Sequence, residues 1–123
     1  MVEKNPERTR KVVVSVELKG VGGHSSKPHV SKNPVVAGFE FLHLVQNRLW
    51  WGFSQFENVA IVPVEFDFGT KQNIIPESGS LKLAAEFSTD GQFAAIQQIV
   101  KNALEAVKVN YAVDSTHKIE VQE

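Results

Sequence analysis

Cysteine is absent from this chain of 123 residues, which excludes disulfide bonds and thiolate metal sites and mildly favours a reducing compartment. No stretch approaches the roughly 20 apolar residues needed to cross a bilayer, and the charged opening MVEKNPERTR lacks the apolar segment of a signal peptide. We therefore expect a cytoplasmic protein that does not span a membrane. The net charge is only -1, so charge gives no indication of a nucleic-acid partner.

The sequence also lacks the compact motifs of a self-contained enzyme. Its four histidines form no HExxH or similar ligand set with nearby acidic residues, so no metal site is expected within the chain. The segment GVGGHSS has neither the lysine of a phosphate-binding loop nor the GxGxxG pattern, which leaves nucleotide binding unsupported. Ser25 follows His24 directly, but chain neighbours point apart and no third partner is evident, which argues against a serine hydrolase.

Alternating apolar and polar residues predict four strands. The alternation covers residues 11–18, 58–68 and 81–87, and a weaker one covers 113–121. In the second strand one face is predicted to carry five apolar residues, namely Ala60, Val62, Val64, Phe66 and Phe68. Pro63 lacks the N–H that a sheet ladder requires, and therefore indicates an edge strand.

Helical spacing predicts two helices. Asn33 can cap a helix that starts at Pro34 and runs to about residue 50, ending near Gly52. Its predicted core-facing stripe consists of Val36, Phe39, Leu42, Val45 and Leu49. Thr89 with Gln92 resembles a capping box, and a second apolar stripe then continues to about residue 108. The members of that stripe are Phe93, Ile96, Val100, Ala103, Leu104 and Val107.

The predicted order is strand, helix, strand, strand, helix, strand within one domain covering residues 1–123. This order is typical of the α+β, ferredoxin-like βαββαβ sandwich, in which a four-stranded antiparallel sheet carries two helices on one face. The same order is used by RNA-binding modules and by small-molecule-binding regulatory domains. Both remain alternative functions, although the third strand, LKLAAEF, lacks a basic and aromatic RNA-binding pattern.

Two polar loops, at 20–32 and 69–78, contain the candidate functional residues. His24 in the first loop and Asn73 in the second can each donate hydrogen bonds to a carboxylate or a developing oxyanion. A purely structural role is equally compatible with the residues, since histidine can cap a turn and asparagine tolerates turn conformations.

The stretches GVGGHSSKPHVSKNPV and GTKQNIIPESGSLKL resemble the two hallmark segments of the dimerisation domain in the M20 family of metallopeptidases and amidohydrolases. The resemblance spans nearly the whole chain, with both segments in the family's order. His29, directly after Pro28, is most similar to the branch that hydrolyses N-acyl amino acids. Acetylornithine deacetylases and carboxypeptidases remain open.

The resemblance implies that the chain is a lid domain excised from a larger enzyme whose separate catalytic domain binds zinc. The chain alone is then an incomplete enzyme without a cofactor, and its two ends lie close together. His24 matches the lid histidine that reaches the active site of the partner subunit and stabilises the oxyanion formed when water attacks the amide. Asn73 matches a residue that helps to bind the substrate carboxylate, and Gly69, in the same loop, is assigned to substrate binding with it.

The resemblance further implies a homodimer formed through the strand at 58–68 and the helix at 34–50, besides the catalytic domain and a small-molecule substrate as partners. Trp50 and Trp51 are candidate interface anchors, although we expect at least one of them to pack in the core or at the helix end. Glu86 occupies the position of the family's substrate-binding arginine. Either the substrate differs, or Glu86 is only a solvated strand residue.

Overall fold

The structure is a computed structural model that describes residues 8–54, 57–69 and 72–122. In these residues the strands and α-helices are β1 (Arg10–Lys19), β2 (Gly23–His24), α1 (Pro34–Gly52), β3 (Ala60–Phe68), β4 (Ile74–Ile75), β5 (Ser78–Phe87), α2 (Asp90–Tyr111) and β6 (Asp114–Gln122), and a short 3-10 helix (Pro28–Val30) lies between β2 and α1. None of the described helices is long and apolar enough to cross a membrane.

The main sheet contains four antiparallel strands in the order β3, β5, β1, β6, and both helices pack on one of its faces. This arrangement confirms the predicted ferredoxin-like fold. It also confirms that the strand containing Pro63 lies at an edge. Lys11 is paired with Gln122 across β1 and β6, so the two ends of the described chain lie side by side, as expected.

The core lies between the sheet and the helices, and its pattern follows the alternation of β1 and β5. Every second residue of β1 from Val12 to Leu18 is buried, and so is every second residue of β5 from Leu81 to Phe87. The stripe predicted for α2 is confirmed, except that Phe93 is only partly buried and Ile99 joins the buried set. The capping box is confirmed as well, since Thr89 Oγ1 accepts the Gln92 N–H at 3.1 Å.

The face that α1 turns towards the core differs from the prediction. Leu42, Val45 and Leu49 do pack against the core, but Val36 and Phe39 are exposed. The most deeply buried residues of α1 include Ala37, Gly38, Phe41 and Val45. Ala37 and Gly38 are small, so the first turns of α1 approach the sheet closely with this face inward; a Cβ on Gly38 would lie 3.0 Å from the Phe66 ring.

The single apolar face predicted for β3 is also wrong, because a β-bulge interrupts the strand. Pro63 and Glu65 face consecutive residues of β5, which leaves Val64 as the extra residue. A one-residue insertion shifts all following side chains to the opposite face. Ile61 before the bulge and Phe66 after it therefore both face the helices, which strict alternation does not allow.

Candidate functional site

The two polar loops are joined to each other at one end of the main sheet. β2 and β4 form a two-residue antiparallel ladder in which His24 lies opposite Ile74. Next to this ladder, the Ser25 N–H donates to the carbonyl of Asn73 at 3.1 Å. The sequence pattern predicted both segments as loops without this ladder, since two-residue strands have no detectable periodicity. The structure thus brings the two candidate residues His24 and Asn73 together.

A glycine in the first loop explains how closely the loops approach. A Cβ on Gly22 would lie 2.5 Å from the carbonyl oxygen of Ile75, so a larger residue would separate the two segments. Ile75 is buried and anchors the second loop, while its neighbour Ile74 is exposed. The Gly20 N–H donates to the Glu77 carbonyl at 2.8 Å and continues the connection towards the main sheet. Backbone packing therefore fixes the position of both loops.

His24 lies on a hydrogen-bonded turn and its side chain is exposed. The Lys27 N–H donates to the His24 carbonyl at 3.0 Å, which closes the turn. Within it, the Ser26 N–H donates to Nδ1 of His24 at 3.1 Å, and the Ser26 Oγ lies 2.7 Å from the same nitrogen. Both contacts use Nδ1, so Nε2 is the ring nitrogen left to contact another molecule.

Asn73 and Gly69 occupy the second loop, and both are exposed. Gly69 has a φ of +79°, a left-handed conformation that favours glycine, and it ends β3. It lines a shallow depression of about 340 Å³ together with Glu17, Asp67 and Ser80. The two carboxylates make this depression acidic, which disfavours a substrate carboxylate at the Gly69 side of the loop.

Glu86 lies at the far end of β5 from these loops. It lies eight positions beyond Ser78, the start of that strand, a distance of about 26 Å at about 3.3 Å per residue. Its carboxylate is 3.6 Å from the Arg8 guanidinium, and its cross-strand partner is Lys11. The ion pair with Arg8 and the distance from the loops favour a structural role for Glu86 over contact with the His24 loop of the same chain.

The metal implied by the resemblance does not fit this chain. Over residues 8–54, 57–69 and 72–122 there is no group of three or more His, Asp or Glu side chains that could hold a metal ion. His24 and His29 are both exposed on the first loop, but no acidic residue joins them in a ligand set. The described residues of the two loops offer hydrogen-bond donors and not a set of metal ligands.

A patch of exposed apolar side chains lies along α1 and the edge strand β3. We define the apolar patch by its five members, which are Val36, Phe39, Val62, Val64 and Phe66. The rings of Phe39 and Phe66 are stacked with their centroids 5.0 Å apart, which connects the helix to the strand. Val62 pairs with Ala84 and lies on the sheet face opposite to the helices, whereas Phe39 and Phe66 lie on the helix side, so the members of the patch surround the edge formed by β3. Exposed apolar residues clustered in this way favour a partner.

Trp50 and Trp51 extend the exposed apolar surface at the end of α1. Their exposed fractions are 77% and 73%, so neither packs in the core, which was one of the two placements expected for at least one of them. They line a groove together with Leu49, Phe53 and Val59.

Comparison with known proteins gives consistent similarities. The chain is 24% identical over 101 residues to an N-acetyldiaminopimelate deacetylase from Brevibacillus brevis, covering 82% of this chain and 27% of that protein. A structure from methicillin-resistant Staphylococcus aureus, described as an aminohydrolase, has a TM-score of 0.86 at 24% identity and covers 90% of this chain and 28% of that one. The aminopeptidase PepT of Bacillus cereus has a TM-score of 0.74 at 14% identity, covering 91% and 29%.

At these identities the solved structures show the fold alone, and the chain spans only about a quarter of the relatives' length. The family profile is more specific. The M20 family described as peptidase dimerisation domain matches residues 10–112, which include both loops, both helices and the first three strands of the main sheet. The chain therefore belongs to the M20 peptidase dimerisation-domain family.

Proposed function

We propose that this chain is the lid and dimerisation domain of a metal-dependent hydrolase that cleaves an amide bond of an N-acyl amino acid or small peptide. The pairing of β2 with β4 carries the proposal, because it brings two exposed hydrogen-bond donors to one end of a rigid sheet. The relative named N-acetyldiaminopimelate deacetylase supports an N-acylated amino acid as the substrate class. The metal, for which we propose zinc, belongs to a catalytic domain outside this chain, and we place the parent enzyme in the cytoplasm.

In this proposal the loops complete an active site that another polypeptide supplies. His24 donates to the oxyanion that forms when water attacks the amide of a substrate bound by the partner subunit. A donor held by a rigid framework is effective there, because it requires little reorganisation as the charge develops. Asn73 and Gly69 contact the bound substrate, with the Asn73 amide as the donor to its carboxylate.

The apolar patch supports a second copy of the chain as the partner. An edge strand presents unpaired N–H and C=O groups that can pair with another strand, and β3 is such an edge. Val62 and Val64 flank Pro63 on that strand and are 51% and 59% exposed. Two copies related by a twofold axis would join their β3 strands and cover both copies of α1, because a twofold interface is self-complementary.

The dimer is tested by comparing the two edges of the sheet. We expect Val64→Lys on β3 to make the chain monomeric in analytical ultracentrifugation, since a lysine would be forced into an apolar interface. The matched control is Val121→Lys on the opposite edge strand β6, where valine is 73% exposed, and this variant should remain dimeric. A monomeric unmodified chain at high concentration, or equal behaviour of the two variants, would contradict the proposed interface.

The role of His24 is tested by kinetics in the parent enzyme. Loss of one oxyanion donor costs about 3 kcal/mol of barrier, so His24→Ala should lower kcat by a factor of about 100 to 1000. Thermal unfolding should change only slightly, because the side chain is exposed and its hydrogen bonds are confined to the turn with Ser26. His29→Ala changes another exposed histidine of the same loop and serves as the control. Near-normal turnover of His24→Ala would remove the oxyanion role.

Two alternative functions have less support. An RNA-binding module would stack bases on aromatic residues of the open sheet face, but the aromatic side chains of these strands, Phe66, Phe68 and Phe87, face the helices. A gel shift with single-stranded RNA should therefore show no binding. A small-molecule-sensing domain would show ligand-dependent stabilisation of the isolated chain, whereas a lid should bind substrate only weakly without the catalytic domain.

A further inference from the structure

We propose that Ser26 is a positioning residue that keeps the His24 ring in the neutral tautomer with its proton on Nε2. The catalytic part of this inference rests on the proposed function of His24. The assignment of the tautomer rests only on the geometry of the turn at residues 24–27.

The backbone of Ser26 determines which ring nitrogen accepts. A backbone N–H can only donate, so the contact of 3.1 Å from the Ser26 N–H requires a lone pair on His24 Nδ1. If Nδ1 carried the proton, two N–H groups would face each other at this distance. In the neutral ring the proton is therefore on Nε2.

The Ser26 hydroxyl adds a second, side-chain contribution. Its Oγ lies 2.7 Å from Nδ1, within the range of a short hydrogen bond. Because Nδ1 accepts from the amide, the hydroxyl acts as a further donor to the same lone pair. Both donors come from one residue, and the turn hydrogen bond from the Lys27 N–H to the His24 carbonyl holds that residue beside Nδ1.

This arrangement matters because an oxyanion requires a donor. With Nδ1 engaged inside the turn, Nε2–H points away from the Ser26 contacts and is available to another molecule. The opposite tautomer would present a bare Nε2 lone pair, which repels a negatively charged oxygen. Ser26 thus acts through His24 and does not itself have to contact the substrate.

The tautomer can be measured in the 123-residue chain by ¹⁵N NMR of the histidine rings, at a pH at which they are neutral. Protonated and unprotonated ring nitrogens resonate far apart, so the spectrum identifies the proton-bearing nitrogen directly. We expect Nε2–H for His24, and we expect Ser26→Ala to lower the tautomer ratio about fivefold, the effect of losing one ordinary hydrogen bond. Ser26→Thr should restore the ratio, because it keeps the hydroxyl.

Ser25→Ala is the control, since Ser25 contributes its backbone N–H and not its hydroxyl to the contact with Asn73. A proton on Nδ1 in the unmodified chain, or an unchanged ratio in Ser26→Ala, would overturn the positioning role. In the parent enzyme Ser26→Ala should lower kcat by at most a factor of about five with little change in KM, because kcat follows the fraction of His24 that carries its proton on Nε2. Normal turnover of His24→Ala would instead refute the oxyanion role, while the NMR ratio still decides how Ser26 acts on the ring.

Discussion

Replacing Phe39 by alanine should weaken the proposed dimer more than it destabilises the fold of one chain. Phe39 is 58% exposed, and a phenylalanine side chain presents about 200 Å², so about 120 Å² remains to be covered by a partner. At about 25 cal/mol per Å² this coverage contributes about 3 kcal/mol, of which alanine retains roughly one third. The substitution therefore costs about 2 kcal/mol per protomer, or about 4 kcal/mol for a twofold dimer, which raises Kd about 1000-fold.

The fold of the single chain should be affected less by Phe39→Ala. There the covered part of the side chain, about 80 Å², accounts for a loss of about 1.3 kcal/mol after the share that alanine retains, and the stacked pair with Phe66, whose centroids are 5.0 Å apart, adds about 0.5–1.5 kcal/mol. Sedimentation equilibrium over a wide concentration range gives the dimer Kd, and urea unfolding at a concentration below Kd gives the stability of the monomer. Val109→Ala on α2 is a suitable control, since Val109 is exposed and lies outside the apolar patch. A change in Kd below tenfold, or an equal loss in the monomer, would refute burial of Phe39 between two chains.

Three further predictions concern the fold itself. Gly79→Ala should destabilise the chain by about 1–3 kcal/mol in urea unfolding through overpacking, because its Cβ would lie 2.0 Å from the ring of Phe68. Thr89→Ala should cost about 1 kcal/mol by removing the capping box of α2, and Thr89→Ser should restore most of it. The hydrogen bond and charge of Lys118 lower the pKa of Glu120 below its ordinary value of 4.5. The interaction between Lys118 and Glu120 therefore stabilises the fold above pH 4.5, and this stabilisation is lost as the pH falls through the lowered pKa of Glu120. Both groups are fully exposed, so Glu120→Gln should change the pH dependence of the melting temperature only slightly.

The succession of elements could be predicted from the sequence because two different periods alternate clearly along it. Runs of alternating apolar and polar residues predicted the four strands of the main sheet, and the apolar stripe from Ile96 to Val107 predicted α2. The caps Asn33 and Thr89 located the starts of both helices. The ends of the helices and strands were predicted less accurately. For example, β5 extends back to Ser78 because that residue pairs with Lys19 of β1, and such pairing depends on residues distant in sequence.

The candidate site could be identified from the sequence only through residue types and resemblance. Periodicity carries no information on a two-residue ladder, so the pairing of His24 with Ile74 was not predictable from either loop alone. The role of Ser26 was missed for a related reason. Its two contacts with Nδ1 depend on the conformation of the turn, which a run of glycines and serines does not specify.

The two errors in the predicted core both concern the same surface. An apolar residue in a periodic pattern is assigned to the core because the pattern assumes that the chain buries its apolar residues by itself. Val36 and Phe39 on α1, and Val62 and Val64 on β3, are apolar residues for which that assumption fails. The exposed residues that were assigned to an apolar face of α1 or β3 therefore all belong to the apolar patch. These residues fit a regular apolar pattern but remain exposed on a helix and an adjacent edge strand. Such exposure is expected where a second chain buries them in an interface.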